Sequence, residues 1–431
     1  MSIRPICAAL IALVLGLAAA TSTNAGTGDD LAHLTVYDAG IAEFLEMRTV
    51  ELQAGLNTVE WRSLMPKAYL RTLRVTAEDG EVIRQDVTMD GAEVKGEKTA
   101  VLHLQILNRG AAGPRRVLVD YMAPNVTWQS DCALVLDPGP NGAPPTTASL
   151  DVWLSVFNST GLDLVAGSLD LVAGEINLVD GGGTYESRRV AQYQVNMQSN
   201  AVYAGDDAGP GDSSTTVTGL SVFNRLALGK GIVLNANNAM SRFPLLQRTK
   251  LGVEERKVFE NAYNVQTFGR NGFTLLPRGL DVRLVLKNTT GVPIPAGVVT
   301  VYAKTGDLLQ IVGQDSIGLT AQESEFTVGQ GRSATLFGSR RIVERKTYAD
   351  ELSSGGRRER LVTKIEVVLT NRGTLAADAF VRDGIEPFDE NRWTLLESSH
   401  KSETLGANTI QFKVQVPAGG KTVVSYTVET K

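Results

Sequence analysis

Four times along this chain an alternating apolar run ends on Asn, in phase with the apolar positions, and turns within two residues on Gly, Ser or Thr. The runs are Leu102-x-Leu104-x-Ile106-x-Asn108, Val152-x-Leu154-x-Val156-x-Asn158, Leu280-x-Val282-x-Leu284-x-Leu286-x-Asn288 and Ile365-x-Val367-x-Leu369-x-Asn371. Successive side chains of a strand point to opposite faces, so each Asn points inward at the sheet's end, where its amide can bond the turn backbone. Strand signals continue along most of the chain: β-branched alternation, Gly or Pro at short intervals, and hardly any three-to-four periodicity. The fold class expected is all-β, with two to three immunoglobulin-like β-sandwich modules in tandem.

Residues 1–25 have the form of a secretory signal: Arg4, an apolar stretch from Ala8 to Ala20, and small residues ending Thr23-Asn24-Ala25. An exported protein is expected, periplasmic or at the cell surface. No later stretch reaches the roughly 18 uninterrupted apolar residues of a spanning helix, so no transmembrane segment is expected. An aromatic content of 6% leaves little for the two interfacial girdles of an outer-membrane barrel. Cys7 leaves with the signal, so Cys132 has no partner for an internal disulfide and reads as a small buried residue. A formal net charge of −5 gives no footprint for nucleic acid.

At roughly 150 residues per domain the chain holds two or three. The divisions expected are an N-terminal β domain over 26–113, a central β-sandwich over 114–270 with a long loop at 204–218, and a C-terminal β-sandwich region over 271–431. Asp79-Gly80 predicts a tight hairpin turn. The central region contains Trp128, Trp153 and an expected hairpin from Leu164 to Leu171; Val253 to Tyr263 fits either a short helix or a strand. The last region contains a long hairpin over 334–369, joined around Ser353-Ser354-Gly355-Gly356. It ends in a hairpin whose arms, Thr409 to Gln415 and Thr422 to Val428, turn at Pro417-Ala418-Gly419-Gly420.

Several of these phrases resemble one family. Trp128 followed by Leu134-Val135-Leu136, Asn158-Ser159-Thr160-Gly161 with Leu169-x-Leu171-x-x-Gly174, Pro295-Ala296-Gly297-x-Val299-x-Val301-Tyr302, Val312-Gly313-x-Asp315-x-Ile317 and Val416-Pro417-Ala418-Gly419-Gly420 are similar to the bacterial proteins carrying the domain of unknown function 4139, which include mucoidy inhibitor A-like proteins. The likeness covers most of 34–431 and lacks the coiled-coil insertion of some relatives. Cys132 stands where an aromatic is usual, and Leu319 and Ala321 replace polar and Pro residues. The resemblance implies a cell-envelope β-protein and carries over no catalytic residue.

Chemistry-bearing motifs are few. Only His33, His103 and His400 occur, so closely spaced zinc ligands are not expected, and neither a metal nor a cofactor is assigned. No Gly-x-Ser-x-Gly elbow is present. Asp206, Asp207 and Asp212 lie in the long loop at spacings unlike an EF-hand, and Gly211-Asp212-Ser213 sits among small polar residues; both read as solvated loop. The triplets at Asn125, Asn158 and Asn288 match a glycosylation acceptor, but the last two coincide with strand ends.

Two weak binding candidates remain. Tyr185 and Tyr193, among Gln192, Gln194, Asn196, Gln198 and Asn200, offer the aromatic faces and amide groups that hold a sugar ring. Arg340, Arg341, Arg357 and Arg358 on the long hairpin could meet anionic polysaccharide, although cross-strand ion pairing on a solvated hairpin explains the same residues and is the favoured reading. The function expected is a non-enzymatic structural or binding protein of the envelope, its partner an anionic envelope polysaccharide or an envelope protein. The alternative is a hydrolase acting on envelope glycans, which requires a pocket with two carboxylates about 5 to 10 Å apart.

Overall fold

A computed structural model describes residues 31–174, 216–220, 223–236, 239–261, 275–351, 357–385 and 393–430. Strands account for nearly all the regular structure there, and the one helical element is the 3₁₀ turn Pro140–Gly142. The protein is all-β, built of several sheets without a barrel. It divides into two compact units. One comprises Met1–Trp128, Val156–Gly183 and Arg225–Ser241; the other comprises Gln129–Ser155, Thr184–Asn224 and Arg242–Lys431. The division therefore does not follow linear boundaries at 113 and 270, and the segment 114–270 contributes to both units.

In the first unit the sheet runs in the order Phe223–Leu234, Leu164–Ala173, Leu31–Tyr37, Ile41–Leu52, Gly113–Pro124, Tyr69–Ala77, Gly80–Thr88, Val101–Asn108, Gly55–Trp61. Alternation buries Leu34 and Val36 from one strand, Phe44 from the next, and Val117, Val119 and Tyr121 from the third. The rings of Phe44 and Tyr121 stack with centroids 5.5 Å apart. Leu164–Ala173 is one strand and not the expected hairpin. The Ala166-Gly167-Ser168 stretch mimics turn chemistry, but a Cβ at Gly167 would lie 2.6 Å from the Ala32 carbonyl oxygen. This glycine serves close approach of the parallel strand Leu31–Tyr37. The tight turn beside it in sequence logic also shifts by one residue: Ala77 pairs Gly80, so Glu78 and Asp79 form the turn and Asp79 takes the positive φ.

The second unit holds most of a 13-stranded sheet. Ala239–Asn261 settles the ambiguity at Val253 as strand; it pairs antiparallel with Leu275–Lys287 and parallel with Ala377–Gly384. Through it the sheet doubles over a shared core. Leu336, Val367, Leu369 and Val424 lie in that core with Val381, Phe412 and Val416, and the rings of Phe412 and Tyr426 approach to 5.1 Å. The long ribbon is formed by Glu325–Glu351 and Arg357–Asn371, paired from Leu336 opposite Asn371 to Glu351 opposite Arg357. The C-terminal hairpin is not formed. Thr409–Val416 pairs Ala377–Gly384, whereas Lys421–Thr430 pairs Arg357–Asn371, so Pro417–Gly420 is an arch that carries the chain across the core.

All four inward Asn side chains are buried and bonded to turn backbone. The Asn108 amide donates to Ala111 O and its oxygen accepts from Gly110 N. Asn158 donates to Leu162 O and Leu234 O, and accepts from the N–H and hydroxyl of Thr160. Asn288 repeats this pattern with Val292 O and Thr290, and donates further to Thr320 O at 3.1 Å and Ala321 O at 3.2 Å. Asn371 donates to Leu375 O and Val416 O and accepts from Gly373 N.

Asn288→Ala removes the acceptor of Thr290 N and the amide shared among Val292 O, Thr320 O and Ala321 O, each of which keeps one other donor, so it should destabilise the protein by about 1–2 kcal/mol. The urea midpoint measures this, and an unchanged midpoint contradicts the assignment.

Candidate functional site

In the second unit a groove of about 220 Å³ is lined by Arg256, Val258, Arg283, Val285, Asp315, Thr327, Gly329 and Arg382. Its floor is one face of the sheet. Arg256 and Val258 come from Ala239–Asn261, Arg283 and Val285 from Leu275–Lys287, Thr327 and Gly329 from Glu325–Glu351, and Arg382 from Ala377–Gly384. Register places Arg256 directly opposite Arg283, Val285 opposite Thr327, and Arg283 opposite Gly329. Asp315, from Leu308–Ile317, accepts hydrogen bonds from Gly329 N at 2.6 Å and Ser316 N at 2.9 Å. A Cβ at Gly329 would stand 3.0 Å from Asp315 Oδ2, so the glycine admits this carboxylate to the groove.

The cations are unevenly compensated. Arg256 makes a two-point bond to Glu254, at 2.9 and 2.6 Å, which raises its pKa against the opposing effect of burial. Arg283 is held by Glu260. Arg382 donates from Nε to the neutral Gln411 Oε1 at 2.7 Å, and no carboxylate of the described residues lies in ion-pair reach of it. Gln411 is oriented for this by donating its own amide to Glu403 Oε2. Burial lowers the Arg382 pKa from its ordinary value, and the charges of Arg283 and Arg256 add to that, against Glu260 and Glu403. Like charges directly opposite on a sheet are destabilising. Two opposed guanidiniums and a third without a carboxylate in ion-pair reach among the described residues make a site that an anion would relieve.

The hairpin candidates are placed differently from the expectation. Arg340 is 7% exposed, and its Nε bonds Asp383 Oδ2 at 2.6 Å. Tyr426 OH donates to the same oxygen and Asn261 Nδ2 donates to Oδ1. Arg340 is in phase with Leu336 and Ile342, so the alternation that buries them buries it, and it is committed to the core instead of the surface. Arg341 is exposed and bonds Glu366 across the ribbon at 2.5 Å. Register sets Arg357 opposite Glu351 and Arg358 opposite Asp350. Of the exposed ribbon cations, Arg341 is thus matched by an anion across the ribbon. Tyr185 and Tyr193, and residues 204–215 of the expected loop, lie outside the described residues; residues 216–218 belong to the strand Thr216–Leu220.

The first unit gathers a second polar cluster. His33 Nδ1 meets Ser168 Oγ at 2.6 Å, and His33 Nε2 lies 3.0 Å from Asp170 Oδ2, which also binds Arg225. Burial opposes ionisation of Asp170, but the bonds from His33 and Arg225 hold its carboxyl below its ordinary range. Ser168 Oγ is also 3.3 Å from Ala32 O, a second acceptor for its single proton. On neighbouring strands Glu43 hydrogen-bonds Asp120, and burial together with that second carboxylate raises the Glu43 pKa. Two hydrogen-bonded carboxyls are too close for the water or sugar that a glycosidase pair must flank. Sequence spacing gave no sign of either cluster.

Cys132 is buried, and burial pushes its thiol up to about 11. Among the described residues no group of three His, Cys, Asp or Glu side chains is placed to hold a metal ion, and no helix is long and apolar enough to cross a membrane. No family model and no curated protein matches the chain.

Because the Glu43 pKa is raised above its ordinary 4.5, folding favours the protonated form. The stability it contributes is fully present below about pH 4.5 and is lost as pH rises through the folded value. Glu43→Gln should therefore gain stability over the parent at pH 7 and match it near pH 4. Urea midpoints at the two pH values measure this; a variant less stable than the parent at pH 7 contradicts it.

Proposed function

We propose that the protein is an exported, non-enzymatic binding module of the bacterial cell envelope that holds an anionic envelope component in the groove of its second unit. The observation that carries this is Arg382: a half-buried guanidinium bonded to a neutral amide, beside two guanidiniums set opposite each other. A purely structural guanidinium at such a depth is expected to be matched by a carboxylate, as Arg340 is by Asp383. Export rests on the form of residues 1–25, and an envelope setting is supported further by the resemblance to the domain of unknown function 4139 proteins. A tandem immunoglobulin-like arrangement belongs to the same proposal.

The hydrolase reading draws no support from the groove, whose single lining carboxylate among the described residues is Asp315. The Ser168, His33 and Asp170 row suits acyl transfer in principle, but Arg225 and Ala32 O compete for two of its three members.

Retention of the full exported chain on an immobilised carboxylated polysaccharide tests the binding. It should weaken between low and physiological salt as charges are screened over about 8–10 Å. It should be lost in the double variant Arg256→Gln, Arg382→Gln and unaffected by Arg341→Ser. Equal retention by the double variant and the parent, with the parent recovered in the cytoplasmic fraction of native cells, overturns both halves of the proposal.

A further inference from the structure

The groove is not a plain anion cradle, because one of its walls is itself an anion. Asp315 accepts one backbone N–H on each oxygen, Ser316 N on Oδ1 and Gly329 N on Oδ2. A carboxylate offers about four acceptor positions, so two remain after those bonds. No cation bonds this carboxylate among the described residues, although three guanidiniums line the same groove. Opposite charges kept apart across a small cavity define a ligand with two chemically different edges.

Sulfate presents acceptors on every side. Against Asp315 it would set oxygen to oxygen with no proton between them, and the repulsion would offset much of what the guanidiniums supply. A carboxylate beside a hydroxyl fits both sides. Its two oxygens match the planar fork of a guanidinium, while the hydroxyl donates to Asp315. Val285 adds apolar surface between the charged groups, suited to the C–H face of a sugar ring, and the Thr327 hydroxyl is a further polar contact.

We propose that the groove binds a hexuronate residue of an acidic polysaccharide, with the sugar carboxylate on Arg382 and the neighbouring Arg256 and Arg283, and a ring hydroxyl on Asp315. This rests on the anion-binding reading above and narrows it to one chemistry. Glu254, Glu260 and Glu403 keep their own partners and set the geometry of the cations, so they need not move when the ligand enters.

The test is calorimetric titration of the full exported chain with four probes: a tetragalacturonate, its carboxyl-reduced neutral counterpart, inorganic sulfate and acetate. The tetragalacturonate should bind at least about tenfold more tightly than sulfate or acetate, and the neutral tetramer should not bind. Arg382→Gln should weaken tetragalacturonate at least about tenfold, a loss of one charge-assisted pair. Arg256→Gln, whose strand is held on both sides, guards against a fold-level loss at Arg382, and thermal unfolding of each variant reports that separately. Asp315→Asn should weaken tetragalacturonate and strengthen sulfate. Sulfate binding as tightly as tetragalacturonate overturns the hexuronate assignment but leaves an anion site. Binding of tetragalacturonate unchanged in both arginine variants overturns the groove, and with it the reading on which the assignment rests.

Discussion

A chain built almost wholly of strands must satisfy its backbone at every place where a ladder stops. Helices close most of their hydrogen bonds internally; strand ends cannot, and buried backbone groups without partners cost on the order of 1–3 kcal/mol each. Here the solution is a side chain that imitates a peptide. The Asn amide presents one acceptor and two donors at the end of a buried alternation, and it closes the turn and a crossing segment together. Asn288 ties the end of the strand bearing Arg283 to the carbonyls of Thr320 and Ala321, just beyond the strand that bears Asp315. Asn371 ties Val416, at the end of the strand bearing Gln411. The groove strand bearing Arg283 and the strand that supplies Arg382's partner are thus each pinned at an end.

Charge is used in two ways in the second unit. The Arg340, Asp383 and Tyr426 group is buried and fully bonded, with Asn261 on the remaining carboxylate oxygen. Burying an ion pair gains little net stability, but breaking one is costly, so such a group fixes which surfaces meet across the core. Burial alone would lower the Arg340 pKa, yet the charge and bonds of Asp383 and Tyr426 raise it, so the guanidinium stays ionised inside the core. Burial likewise holds the Tyr426 hydroxyl well above its ordinary value, with the Asp383 charge adding to it. The groove reverses this economy: Arg382 has a neutral partner, and its neighbours' charges lie close by without cancelling it. One cluster is closed by its own carboxylate; in the other, Arg382 has no carboxylate in ion-pair reach among the described residues.

How much of this could be read from the sequence follows from how local each feature is. The strand ends were legible because alternation and the Asn lie within seven or nine consecutive residues. Inward placement of Arg340 was also written there, in its phase with Leu336 and Ile342, but counting positive charge along the ribbon obscured it. The supposed hairpins at Leu164 to Leu171 and at the C-terminus failed for a shared reason. Gly and Pro mark a place where backbone is special, and only long-range pairing decides whether that place is a turn, a close approach at Gly167 or an arch at Pro417. The groove was not legible at all. Its three arginines and Asp315 come from four strands, one of them joined in parallel register, and Gly329 looks like any other glycine until Asp315 is set against it.

The central claim is that Asn side chains hold the strand ends, and amide hydrogen exchange tests it most directly. The N–H groups of Gly110, Thr160, Thr290 and Gly373 lie in turns, where exchange is ordinarily fast, yet each bonds a buried Asn oxygen. They should exchange as slowly as the interior amides of the strands they follow. Exchange of these four at the rate of unprotected turn amides, while the strands stay protected, would contradict the account.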